Sequence, residues 1–170
     1  NELLRDSSAA LAAFLQQMLP EAVRFFEDDA FLQGTGAGQP LGMITTANPS
    51  LISVAKETGQ VASTIVTENI DKMFSRMLPS SQNRAVWLAN PETYPQLAGM
   101  TRAVGTGGSA VFVSNMAGGA PNSLMGRPVI FTEKCAALGS VGDIAFVDPA
   151  YYLIGDRQAL FMQASGAFIH

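Results

Sequence analysis

The sequence predicts an α+β fold, with helices early and strands late. Two observations carry that prediction: apolar residues recur at helical spacing through the first 33 positions, and short apolar runs bounded by glycine or proline fill the last third. No internal repeat and no low-complexity tail accompany them.

The first element is a long amphipathic helix. Asp6, Ser7 and Ser8 are N-cap candidates, and Leu11, Phe14, Leu15, Met18, Ala22, Phe25 and Phe26 then follow at helical spacing. Its other face carries Gln16, Gln17, Glu21, Arg24, Glu27 and Asp28, with Arg24 and Asp28 placed for an i, i+4 contact. Pro20 should kink it, because an interior proline removes a backbone donor and crowds the preceding turn. The stop is Gly34, expected as a left-handed C-terminal cap, after which Gly36, Gly38 and Pro40 keep the helix from resuming.

Residues 41–67 are rich in Thr, Ser, Asn and Val and predict short strands and turns. Thr67 is expected to cap a second helix over 68–78, with Ile70, Met73, Phe74 and Met77 on one face. Pro79-Ser80-Ser81-Gln82-Asn83 breaks it, and 84–89 then form a buried strand through Val86, Trp87 and Leu88. Asn90 as cap with Pro91 at the first helical position opens a short helix to about Leu97. The glycine-rich stretch 99–126 predicts a mobile excursion around one strand, 110–114. Strands are expected at 126–132, 143–147, 151–155 and 159–163, the last two separated by the turn Gly155-Asp156-Arg157.

Composition narrows the function. Charged residues make up 14% of the 170, against about 25% in typical soluble domains, and residues 31–55 and 103–126 contain none at all. Both stretches are broken by Gly, Pro, Asn, Ser and Thr, so neither has the run of about 20 apolar residues that a membrane helix needs. They instead predict loops and strands that need other protein around them. A net charge of −4 with ten scattered basic residues argues against a chain that grips nucleic-acid backbone. One cysteine, Cys135, excludes an internal disulfide framework, and one histidine, His170, leaves little for a zinc site. Asn1 to Asp6 lack the basic segment and apolar core of a signal peptide, so cytosolic folding is expected; without an initiator Met the chain is read as a fragment.

The candidate chemistry is sparse. Gly34-Thr35-Gly36-Ala37-Gly38 brings glycines close together as a phosphate cradle would, but it follows a helix C-terminus, where the dipole repels anions. Gly105-Thr106-Gly107-Gly108 has no Lys beside it and predicts a loop. Glu27, Asp28 and Asp29 are consecutive helical residues that point in different directions, as a solvated face does. Asp143, Asp148 and Asp156 fit strand-terminating turns. Cys135 has no histidine near it in sequence, so no catalytic set, cofactor site or metal site is assembled. Arg127 and Arg157 are expected in turns, and Trp87 and Tyr94 as core or interface anchors.

The segment Glu27-Asp28-Asp29-Ala30-Phe31-Leu32-Gln33-Gly34-Thr35-Gly36-Ala37-Gly38-Gln39-Pro40-Leu41-Gly42 resembles the end of the spine helix in tailed-phage and prophage major capsid proteins of the Hong Kong 97 type. Ser123-Leu124-Met125-Gly126-Arg127-Pro128-Val129, and Gly142-Asp143-Ile144 leading to Tyr151-Tyr152-Leu153-Ile154-Gly155-Asp156-Arg157, resemble later parts of that family in order and spacing. The resemblance implies a spine helix and part of a peripheral domain over 1–43, an axial domain with a mixed sheet flanked by helices over 44–157, and a returning peripheral strand over 158–170. It further implies that the N-terminal arm and the extended loop are missing, so that this piece alone does not close into shells.

Functionally, the resemblance implies a self-assembling structural subunit of an icosahedral virion shell, made in the bacterial host cytoplasm, without catalysis or cofactor. Its partners would be copies of itself in hexamers and pentamers, with scaffold and portal proteins, enclosing DNA without sequence-specific binding and touching no membrane. The alternatives are an encapsulin-like bacterial compartment shell and a small-molecule-binding α+β domain. The glycine-rich loops would absorb the differing contacts of identical subunits, and Gly34 to Pro40 would be a helix stop and a hinge between two domains.

Overall fold

The computed structural model describes residues 8–104, 107–113 and 122–155. The first helix, α1 (Ser8–Gln33), continues through Pro20, which therefore interrupts one hydrogen bond without ending the helix. The cap candidates Asp6 and Ser7 lie outside the described residues. The expected Arg24–Asp28 ion pair does not form, as suits an exposed pair whose attraction barely offsets the loss of side-chain freedom.

No strand forms between Ile44 and α2 (Thr67–Arg76), apart from turns. The cap of α2 lies one residue earlier than the sequence predicts: Val66 is the N-cap residue, and its amide donates to Asn69 Oδ1 at 3.1 Å. Thr67 instead donates from Oγ1 to the carbonyl of Thr101. A short helix α3 (Pro79–Gln82) follows, then strand β1 (Val86–Ala89). Asn90 opens the next turn as the Asn-Pro pattern requires: its side chain accepts from the Glu92 amide at 3.0 Å, and a 3₁₀ turn Pro91–Thr93 leads into α4 (Tyr94–Ala98).

The glycine-rich stretch holds more regular structure than its composition predicts. Strands β2 (Thr101–Val104) and β3 (Gly107–Ala110) pair as a hairpin, and β4 (Phe112–Val113) is separate. The single strand expected at 110–114 is thus split at Val111, whose amide turns to the Met100 carbonyl. Strands β5 (Ser123–Leu124) and β6 (Arg127–Phe131) are joined by Met125 and Gly126, both at positive φ of 52° and 73°. That is the tight two-residue hairpin turn, and glycine takes one of its two left-handed positions at no steric cost. β7 (Ile144–Val147) matches its predicted run.

The strand expected at 151–155 does not form. Asp148 caps a second 3₁₀ turn, Pro149–Tyr151, by accepting from the Ala150 amide at 3.1 Å, and 152–155 carry no ladder. The expected strand 159–163 lies outside the described residues.

One sheet organises the body, in the order β4-β5-β6-β1-β7. β1 sits between β6 (parallel, Trp87 opposite Val129) and β7 (antiparallel, Trp87 opposite Phe146). Because both faces of β1 are covered, its sequence Val-Trp-Leu-Ala is continuously apolar instead of alternating. Trp87 and Ala89 pack on one face with Ile65, Ile70, Leu97, Met100, Leu124 and Val129; Leu88 packs on the other with Ile44, Cys135 and Ala145. Trp87 is fully buried, stacks on Phe146 at 4.2 Å between centroids, and donates its indole N–H to the Leu124 carbonyl at 3.0 Å. Burying so large a ring is a major part of the core energy; truncating such a tryptophan to alanine costs about 3–5 kcal/mol.

Candidate functional site

The glycine loop at the end of α1 is where the sequence concentrates its most specific signal, and its geometry decides what it can do. A helix leaves its last four carbonyls without intrahelical partners. Here three of them are met, one by the next residue and two by the returning chain: Gly34 N–H donates to Ala30 O at 2.9 Å, Met43 N–H to Phe31 O at 2.9 Å, and Ile44 N–H to Leu32 O at 3.0 Å. Gly42 N–H also donates to Gly34 O at 2.8 Å, which closes the loop on itself.

Gly34 is not the left-handed cap that the sequence predicts, since the positive φ angles fall at Gly36 and Gly38. It is glycine for space: a Cβ there would lie 2.1 Å from Pro40 O and 2.3 Å from Ala30 O. Gly42 meets the same constraint, with a Cβ 2.4 Å from Leu32 O. Of the loop's amides, Gly34 N–H is spent on a helix carbonyl, and the whole loop sits beside the negative end of the dipole, where an anion is disfavoured. Any hinge motion at Gly34 to Pro40 would act against the bonds that Gly42, Met43 and Ile44 make to Gly34 O, Phe31 O and Leu32 O.

The end of α1 is bolted to the body by side chains distant in sequence. Gln33 Nε2 donates to the Lys134 carbonyl at 3.1 Å, and Lys134 Nζ reaches back to Phe25 O at 3.1 Å. The same ammonium stands 2.9 Å from the centroid of the Phe25 ring and 3.9 Å from Asp29 Oδ1. Tyr152 donates its hydroxyl to Leu41 O at 2.8 Å and packs edge-on against Phe31. Sequence reasoning passed over Lys134; a single basic residue after a strand carries no local signal for a contact 109 positions away.

Among the described residues, most of the apolar face of α1 is left uncovered. Phe14, Leu15, Met18, Leu19, Phe25 and Phe26 are all exposed, Phe26 to 69%. At 100° per residue they fall on one side of the helix, opposite Gln16, Gln17, Arg24 and Glu27. An amphipathic helix normally buries its apolar stripe, so a stripe of this length left uncovered among the described residues marks a surface for further protein to cover. Further exposed apolar residues, Tyr151, Leu153 and Ile154, lie where the described chain ends.

The acidic candidates behave as turn and surface residues. Asp143 accepts from the Gly139 amide at 2.9 Å and from its own neighbour Ile144 at 2.8 Å. Asp148 pairs with Arg84 at 2.8 Å; that hydrogen bond, with a second from Ser81, holds its carboxyl below the usual carboxylate range. Among the described residues, Asp29 alone of Glu27, Asp28 and Asp29 has a cation near it, Lys134. Among the described residues no three His, Cys, Asp or Glu side chains are grouped to hold a metal ion.

Cys135 is buried, and desolvation, with Asp143 adding to it, pushes its thiol up to about 11, the reverse of what a nucleophile needs. Arg127, expected in a turn, instead opens β6, and it donates to Asn83 O at 2.7 Å. Trp87 is a core anchor, whereas Tyr94 is 39% exposed and packs edge-on against Phe131. Asp156, Arg157 and His170 lie outside the described residues. No described helix is long and apolar enough to cross a membrane.

Comparison with known proteins agrees with the geometry. The model of the phage capsid family matches residues 1–167. The capsid of an empty GTA particle is similar in structure, at a TM-score of 0.64 and 23% identity over 87% of this chain and 53% of that one. The capsid of a native GTA particle gives 0.63 and 22% over 87% and 52%. The chain therefore spans about half the length of the solved chains it matches. No curated protein matches it.

Proposed function

The chain belongs to the phage capsid family and has the α+β fold of Hong Kong 97 type capsids, and we propose that it is the central part of a subunit whose copies self-assemble into an icosahedral shell around DNA. In this reading the protein is structural, with no reaction of its own. It sits as hexamers and pentamers in the virion after synthesis in the bacterial host cytoplasm, with scaffold and portal proteins as assembly partners. Residues 1–43 are the spine helix and part of a peripheral domain, 44–157 the axial domain, and 158–170 a returning peripheral strand. The burial of Ile44, 1% exposed in the core of the body, supports placing the boundary just before it.

The observation that carries the reading is the uncovered apolar face of α1. A freely soluble enzyme of this size has no reason to hold six large apolar side chains in water on one helix. A subunit surrounded by copies of itself does, because assembly buries them, and the cores of such interfaces are depleted in charge. The low charge content and the charge-free stretch 31–55 fit the same environment. Net negative charge fits enclosure of DNA without gripping its backbone.

The test is to express the complete reading frame that contains this chain and image the product by cryo-electron microscopy. Closed particles of uniform diameter are expected. A product that stays a monodisperse monomer, with or without its neighbouring genes, would overturn the proposal.

A further inference from the structure

Residues 14–29 of α1 are exposed except for the half-buried Pro20 and Val23. The direction in which this helix leaves the body is therefore set at its C-terminal end, and there the attachment is reciprocal. Gln33, on the helix, grips the backbone of Lys134. Lys134, on the body, grips the helix at Phe25 O, the Phe25 ring and Asp29.

The lysine is well placed to carry load. Its side chain is only 11% exposed, so the cation meets the ring and the carbonyl with little competition from water. Its own turn is rooted on the sheet: Thr132 N–H donates to Ala89 O at 2.9 Å, Thr132 Oγ1 accepts from the Lys134 amide at 3.2 Å, and Asn90 Nδ2 donates to Cys135 O at 2.9 Å.

We propose that Lys134 is a positioning residue: with Gln33 it forms the joint that fixes the angle between α1 and the body. The loop 34–42 ties the chain ends together at one point, while Lys134 adds a second point of attachment two turns up the helix, and two points define a direction. From Phe25 back to Ser8 the helix is a lever about 26 Å long, so a tilt of about 10° at the joint moves its tip by about 4–5 Å. This inference stands on the joint alone and holds whether or not the protein builds a shell.

The experiment measures that angle. Spin-label amino acids incorporated at Gln17 and Ser80, both exposed, report the distance from helix to body while leaving Cys135 untouched. The parent chain is expected to give one narrow distance distribution. Lys134→Met keeps a stem of similar length without charge or donor, and should broaden the distribution roughly twofold, given the lever length. Lys134→Arg should restore it. Intact Trp87 fluorescence shows that the body remains folded.

Phe25→Leu, at a ring that is 49% exposed and outside the core, removes the surface under the ammonium without endangering the body and should also broaden the distribution. An unchanged distribution in Lys134→Met with the body intact, or in Phe25→Leu, overturns the proposal.

Discussion

Replacing Gly34 with alanine tests whether this glycine serves space or backbone freedom. The added Cβ would sit 2.1 Å from Pro40 O and 2.3 Å from Ala30 O, both backbone atoms that no side-chain rotation can move. Relief requires the returning chain to lift off the helix end, which breaks the bonds from Gly42, Met43 and Ile44 to Gly34 O, Phe31 O and Leu32 O. At about 0.5–1.5 kcal/mol for each lost bond, the cost is about 2–4 kcal/mol. That is a large share of the roughly 5–15 kcal/mol by which a domain is stable.

Gly38→Ala is the control. Its φ of +70° is left-handed, but nothing lies within 4 Å, so only the conformational penalty of about 1–2 kcal/mol applies. Urea unfolding of the two variants should separate them by about 1.5 kcal/mol, the difference between the middles of the two ranges, and hydrogen exchange should show the Met43 and Ile44 amides losing protection only in Gly34→Ala. Equal destabilisation of the two variants, or undiminished protection at Met43 and Ile44, would refute the close-approach argument.

Three other outcomes follow from the same structure. Cys135 should resist thiol reagents at pH 8 in the folded protein: raising its pKa from 9.0 to about 11 lowers the thiolate fraction about 100-fold, and urea should restore ordinary reactivity. Asp148 is held below its ordinary range by Arg84, so the stability it contributes is present above about pH 4 and is lost as pH falls through the lower folded value. Acid titration of Asp148→Asn should accordingly show a flatter loss of stability below pH 4 than the parent chain. Phe14→Ser combined with Met18→Ser should change the unfolding free energy by no more than about 1 kcal/mol, because both side chains lie on the exposed surface, yet lower the yield of closed particles from the complete reading frame; an undiminished yield would remove α1's apolar face from the assembly surface.

Much of the fold was legible because its causes are local. The stripe on α1, the apolar run of β1 and the short strands at 127–131 and 144–147 each follow from side-chain spacing within a few residues. Asn90-Pro91 located a turn start because an Asn side chain can cap only the amide just beyond it. The same signal was present at Asp148-Pro149 and explains the misread strand at 151–155: Asp148 caps a 3₁₀ turn there in the same manner. At Val66 the cap bond comes from Asn69 further along the helix, so the search for a Ser or Thr at the cap position stopped one residue late, at Thr67.

The candidate surface divides the same way. The sequence by itself determined that α1 is long, one-sidedly apolar and halted at a glycine loop, since these are properties of neighbouring residues. It also carried the family resemblance, because the glycines at 34 and 42 are the residues the helix end tolerates. Only the tertiary structure decided why they are tolerated, for Gly34 and Gly42 lie against carbonyls that the chain reaches after closing a loop. Only there does Lys134 meet Phe25, and only there is α1's apolar face seen to be left open. The physical reason is distance along the chain: a spacing pattern constrains residues a few positions apart, whereas a contact across 109 positions exists only once packing has brought its partners together.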